Sequence, residues 1–223
     1  MKQFLALLFV ALLSISCGSK SPTSSSGSGG FSWNGPLILS AVENTSGSSG
    51  SAFTEIATSS GPVTNAAVTL TYSGTPAVLA YQFSTSYPVT ASGSVTVLSM
   101  AYYTNSSFTY TAGQPYTITA VFGGSTYSAN TTAIGNINFS APSGSSLTCS
   151  WTGGNENVID VDESSPSSAV SVYGPNVSSP ANVTLLGTHG TVFTSLDNLN
   201  SSAFSGTSNG SYLVTSASGS TSY

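Results

Sequence analysis

The sequence predicts an all-β protein whose folded part is two tandem β-sandwiches. Three observations carry that reading. Beyond residue 17 no stretch holds a helical period, short runs rich in Val, Ile, Thr and Tyr recur with period two, and clusters of Gly, Ser, Pro and Asn separate them. Alternation of this kind puts one side of each strand in a core and the other in water, as in antiparallel sheets packed face to face.

The chain opens on MKQFLALLFVALLSISC, residues 1–17. Lys2 supplies a positive start, and Phe4 to Leu13 an apolar run of about ten residues, the length of a signal-peptide core and too short to span a bilayer. Residues 1–16 are therefore expected to be removed. The end of the run, Leu13-Ser14-Ile15-Ser16-Cys17-Gly18, resembles the lipobox of bacterial lipoproteins, which implies that Cys17 carries lipid as the first residue of the mature chain. That family usually has Leu where Ser14 stands. Ser14-Ile15-Ser16 also reads as the small-x-small site of ordinary secretory cleavage, so secretion is the alternative. Residues 17–30, dominated by Ser and Gly, have almost nothing to bury and are expected to be a disordered tether. Gly18 in second place resembles lipoproteins sorted to the outer membrane. The expected address is the bacterial cell envelope, at the outer membrane or cell surface, with the membrane reached through the N-terminal lipid.

Residues 31–135 are expected to form the first sandwich. Trp33 and Pro36-Leu37-Ile38-Leu39 lead into a first strand, and residues 52–58 read as a second. In residues 62–72, Val68, Leu70 and Tyr72 point one way while Thr69 and Thr71 point the other, which makes a half-buried strand. Residues 77–83 and 94–103 follow, and Tyr116 to Phe122 alternates cleanly. Gly123-Gly124 then closes a two-residue hairpin onto residues 125–132, because such a turn needs positive φ at both central positions. In the second unit, residues 136–223, strands are expected within 136–152, 157–162, 169–173, 182–186, 191–194 and 212–215, with Leu196 and Leu199 plugging a loop or short helical turn. A boundary near residues 133–136 leaves no long linker, so the units should abut.

Two segments link this pattern to known modules. Ala112-Gly113-Gln114-Pro115-Tyr116-Thr117-Ile118 resembles the fibronectin type III pattern, in which a glycine precedes by three the strand tyrosine that packs at a sandwich corner. Asn136 to Phe139, with Leu147-Thr148-Cys149-Ser150-Trp151 and Gly153-Gly154-Asn155, resembles the opening of a second bacterial immunoglobulin-like or fibronectin-like unit. Gly61-Pro62-Val63 leading to the strand at Val68 is similar to strand openings in bacterial surface sandwich domains. These resemblances imply two tandem immunoglobulin-like (fibronectin type III-like) β-sandwiches, a fold that many functions share.

Charge is scarce: two Lys or Arg in the whole chain, Lys2 and Lys20, against seven acids. Phosphate-backbone binding needs clustered Lys and Arg, so nucleic acid is excluded as a partner, and anionic lipid has no basic patch to attract. With Cys17 lipidated, Cys149 has no intramolecular partner. Between Leu147 and Trp151 it reads as a small buried hydrophobe rather than a reactive thiol.

The residues offer little catalytic chemistry. Gly206-Thr207-Ser208-Asn209-Gly210 matches the G-x-S-x-G pattern, with His189 and Asp197 as the other members of a triad. That motif works at a strand-to-helix elbow, whereas here a Ser-rich loop leads into a strand, and the chain is read as having no catalytic residue. His189 lies in a Gly-flanked turn without the partners of a transition-metal site. The acidic run Glu156-Asn157-Val158-Ile159-Asp160-Val161-Asp162 is the one metal candidate: on a strand, Asp160 and Asp162 share a face about 7 Å apart, and Glu156 adds a third carboxylate for calcium. A solvated acidic rim is its bland counterpart. Tyr102, Tyr103, Phe108, Tyr110 and Tyr116 crowd one region; most should pack inside, leaving Tyr103 or Tyr110 to face solvent. The leading expectation is a non-enzymatic surface lipoprotein serving adhesion, envelope assembly or protein binding. The alternative is a carbohydrate-binding module or accessory subunit of a polysaccharide system, for which coplanar exposed aromatics would be the mark. The partner is thus an envelope or extracellular protein, or a glycan.

Overall fold

The computed structural model describes residues 35–46, 48–91, 94–140, 143, 145–153, 157–163, 169–173, 177–185, 191–200, 204–208 and 211–222. The expected signal peptide, Cys17, the tether and Trp33 lie outside them. The described chain is all-β, with fifteen strands: β1 (Leu37–Ser46), β2 (Ser49–Thr58), β3 (Gly61–Pro62), β4 (Ala67–Tyr72), β5 (Thr75–Ala91), β6 (Ser94–Thr109), β7 (Pro115–Phe122), β8 (Ser125–Thr132), β9 (Asn138–Phe139), β10 (Ser146–Ser150), β11 (Asn157–Glu163), β12 (Ala169–Tyr173), β13 (Ala181–Thr184), β14 (Thr191–Asn200) and β15 (Tyr212–Ser222). Among the described residues no helix is long and apolar enough to cross a membrane.

One continuous path of paired strands runs β12-β11-β14-β15-β1-β2-β6-β5-β4-β7-β8, with β3 beside β2, and a separate sheet runs β13-β10-β9. The long path bends at β5. Its first residues pair with β4, as Leu79 does with Val68, and from Ala80 onward it pairs with β6. A register shift between Tyr81 and Phe83 marks the corner, where an extra residue lets a strand bend and change layers. The layer β4-β7-β8 thereby packs against β1-β2-β6. Ile38, Val42, Ile56 and Tyr103 from one layer meet Val68, Leu70, Ile118, Ala120 and Ala129 from the other in a single core.

Two tyrosine hydroxyls tie this sandwich to its loops. Tyr116, at the start of β7, accepts from the Thr111 amide at 2.9 Å and donates to the Thr109 carbonyl at 3.4 Å. Tyr103 donates to the Val63 carbonyl at 2.5 Å and accepts from the Ala66 amide at 3.0 Å. The β7–β8 hairpin forms as expected, with Phe122 opposite Ser125 and φ of 57° and 76° at Gly123 and Gly124.

A second core of Ile134, Leu147, Cys149, Trp151, Val183 and Leu185 lies with the small sheet. That sheet meets β15 at Gly219, where a Cβ would stand 3.0 Å from the Phe139 ring, so the ring packs close over the glycine. The long sheet crosses residues 133–136 because β15 pairs in parallel with β1, Leu39 opposite Tyr212 and Glu43 opposite Ser216. Leu213 consequently joins the first core.

Several expected elements differ. Leu196 and Leu199 are not in a loop or helical turn: both lie in β14, opposite Ala217 and Val214, where the long partner β15 supplies a continuous ladder that overrides the weak strand preference of Asp197 and Asn198. The expected strand 77–83 runs on to Ala91 and includes Pro88. Among the described residues β5 has only β6 beside it from Ala80 on, and an edge strand tolerates a missing N–H. The expected segment 136–152 divides into β9 and β10.

Candidate functional site

In β1 and β2, residues facing the first core alternate with residues on the opposite face of the sheet. Ser40 and Thr54, inward-facing, satisfy each other through a 3.0 Å hydroxyl pair. On the opposite face stand Leu37, Leu39 and Ala41 of β1, Phe53, Glu55 and Ala57 of β2, and Met100 and Tyr102 of β6. This face is covered in part by the chain itself. The β5–β6 ladder continues beyond the last β2 pairing, at Ile56 and Ala101, as an arm that places Tyr87 opposite Leu98. Tyr87 and Leu98 pack against Leu37, Leu39, Ala57 and Met100, together with Tyr212 of β15.

Beneath the arm is Glu55, only 2% exposed. The Tyr87 hydroxyl donates to its Oε1 at 2.6 Å. Burial pushes the Glu55 carboxyl above the usual carboxylate range, and the Tyr87 bond only partly opposes that. Burial, and then the Glu55 carboxyl, pushes the Tyr87 phenol well above its ordinary value. The described residues include no Lys, Arg or His to balance a charge on Glu55, since Lys2, Lys20 and His189 all lie outside them. Sequence reasoning passed over Glu55. Its signal was a lone acid inside the apolar run Ala52-Phe53-Thr54-Glu55-Ile56-Ala57.

Aromatic rings on this face stack across three strands. Phe83 lies 5.0 Å from Tyr102 at 17°, and Tyr102 lies 5.8 Å from Phe53 at 25°. Among the described residues Tyr81 and Phe83 are the exposed aromatics, at 42% and 48%. Tyr103 and Tyr110, expected to reach solvent, are instead buried at 1% and 4%. Their rings belong to the first core and their hydroxyls are satisfied by backbone, Tyr110 through the Ile134 carbonyl at 3.0 Å, so burial leaves no polar group unpaired. Phe83, Tyr102 and Phe53 thus form a stacked row across β5, β6 and β2, with Phe83 its exposed end.

Asp160 and Asp162 sit two apart on β11, opposite Ser195 and Phe193 of β14, while Glu156 and His189 lie outside the described residues. No group of three or more His, Cys, Asp or Glu among the described residues is placed to hold a metal ion. Asp197 is on β14 opposite Val158 and Ser216. Ser208 is buried and donates to the Gly35 carbonyl, while its amide donates to Pro36, so this Ser-rich loop fastens the start of β1. Gly35 is required there: a Cβ would fall 2.5 Å from the Gly206 carbonyl oxygen.

Cys149 is buried, and burial pushes its thiol up to about 11. The thiolate is the reactive form, so a thiol-specific reagent at neutral pH is expected to leave Cys149 unmodified in the folded protein and to label it fully in denaturant. Rapid labelling without denaturant would show an accessible thiol.

No family model matches the chain, and no curated protein matches it.

Proposed function

We propose that the chain is a non-enzymatic surface lipoprotein, held in the cell envelope by lipid on Cys17. Its two immunoglobulin-like sandwiches act as an adhesion, envelope-assembly or protein-binding module. Strand order is the observation that carries the architectural part. Over residues 37–132, β1-β2-β6-β5 faces β4-β7-β8, the four-plus-three arrangement of an immunoglobulin sandwich. Tyr116, bonded back to Thr109 and Thr111, stands where that fold places its tyrosine corner. Beyond residue 136 the strands again divide into a three-stranded sheet, β13-β10-β9, and four strands, β12-β11-β14-β15, with Phe139 of β9 close to Gly219 of β15, which supports a second sandwich.

The functional part rests on the N-terminal sequence and on the surface chemistry. A signal-like run meets Cys17, a Ser/Gly tether follows, and the domains beyond it carry no Lys or Arg. The calcium candidate, Asp160 and Asp162 with Glu156, belongs to the same proposal as an accessory ion at the far strands of the second unit.

Intact mass of the native mature protein, together with detergent partitioning of Cys17→Ser, tests the anchor. An acylated Cys17 and a shift of the variant to the aqueous phase are expected, and an unmodified Cys17 in the native product sinks the anchor. Glycan-array binding run beside capture of envelope proteins tests the module. Binding to a defined glycan series with no saturable protein partner would replace the protein-binding reading with the carbohydrate one.

A further inference from the structure

We propose that the β5–β6 arm is an acid-stabilised clasp, latched over the outer face of the long sheet by the hydrogen bond between Tyr87 and Glu55. This goes beyond the surface-lipoprotein reading and does not depend on it. The latch joins the arm to the sheet's interior strand β2 through a 2.6 Å bond, within an otherwise apolar patch of Leu37, Leu39, Ala57, Met100 and Leu98.

A neutral Glu55 accepts the Tyr87 proton at its carbonyl oxygen and carries no charge into that patch. An ionised Glu55 has one phenol to solvate it and no cation among the described residues. The titratable groups around it do not help. Tyr87 faces it from β5 and Tyr102 from β6, with Tyr212 of β15 acting on Tyr87 and Glu43 of β1 acting on Tyr102. Burial holds Tyr87 and Tyr102 neutral, and Glu43 adds negative charge.

Hydration must therefore come from movement, and the arm is the part held least. Residues 94–100 of β6 pair only with β5 among the described residues, and β5 beyond Ala80 pairs only with β6, whereas β2 has ladders on both sides. Lifting the arm costs fewer strand pairings than opening β2. The Tyr87 bond itself favours the ionised carboxyl, but burial outweighs it, so the folded state holds the proton more tightly than the unfolded chain: the covered arrangement is fully stabilising below the ordinary carboxylate range, near 4.5, and loses stability as pH rises through the raised value.

Hydrogen exchange from pH 4 to 8, corrected for intrinsic rates, tests the clasp on the full chain. Protection of the arm's ladder amides in residues 94–100 is expected to fall at least tenfold over that range while β7 amides hold. Glu55→Gln should keep the acid-level protection at pH 8, and Tyr87→Phe should lower it already at pH 4. Flat protection in the wild type, loss in β7 in step with the arm, or a Glu55→Gln variant that keeps the wild-type pH dependence would each overturn the proposal. Should Glu55→Gln fail to fold, Tyr87→Phe decides alone: unchanged arm protection at pH 4 rules out the latch.

Discussion

Replacing Tyr116 with alanine is expected to remove about 3–5 kcal/mol of stability, the range for deleting a buried aromatic side chain. Tyr116 is fully buried, its ring centroid 5.8 Å from those of Tyr72 and Tyr110 and 6.0 Å from that of Phe108. Alanine would leave a cavity among three rings that cannot all collapse into it. Tyr116→Phe keeps the ring and deletes only the hydroxyl, leaving the partly buried Thr111 amide without its acceptor, at a cost of about 1–2 kcal/mol. A domain of this size has a total stability of about 5–15 kcal/mol, so the alanine variant should melt far below the wild type and the phenylalanine variant modestly below it. Urea titrations of the three proteins measure both steps. Equal, small losses for the two variants would mean that neither ring packing nor the corner bonds matter at this position.

The corner tyrosine was legible because its signals are local. Gly113 sits in a turn with φ of 77°, Pro115 starts the strand, and Tyr116, Ile118 and Ala120 alternate inward, all within eight residues. The Gly123-Gly124 hairpin was legible for the same reason. What the residues did not disclose is non-local. The pairing of β15 with β1 joins positions more than 170 apart, and nothing in the composition of either strand selects a parallel neighbour. Tyr103 and Tyr110 look alike to a composition argument. Their inward placement depends on carbonyls of Val63 and Ile134 supplied by other segments. Glu55 was passed over because a lone acid in a strand is ordinarily solvated. It becomes a candidate only when the arm that starts thirty residues later folds over it and Tyr87 reaches its carboxyl. The sequence pattern thus locates strands and single-strand faces, while the candidate site is made by which strands come together.

The pairing that the sequence did not reveal yields the second large expectation. β15 lies between β14 and β1 and uses both edges, so every N–H along its middle points at an occupied neighbour. Val214, opposite Ala41 on one side and Leu199 on the other, is buried and packs with Ala41 and Phe53. Val214→Ala removes packing alone and is expected to cost about 1–3 kcal/mol. Val214→Pro removes a ladder bond and adds a ring clash in an interior strand, and is expected to cost about 3 kcal/mol or more beyond the alanine variant. The damage should reach both cores, because the same strand supplies Leu213 to the first core and seats Phe139 of the small sheet at Gly219. In a Trp33→Phe background, urea denaturation followed by hydrogen exchange of β7 amides in the first core and by Trp151 fluorescence in the second should show both midpoints falling in Val214→Pro. A proline variant no less stable than the alanine variant would place β15 outside the sheet, and a fall confined to Trp151 would show that the parallel pairing with β1 contributes nothing to the first sandwich.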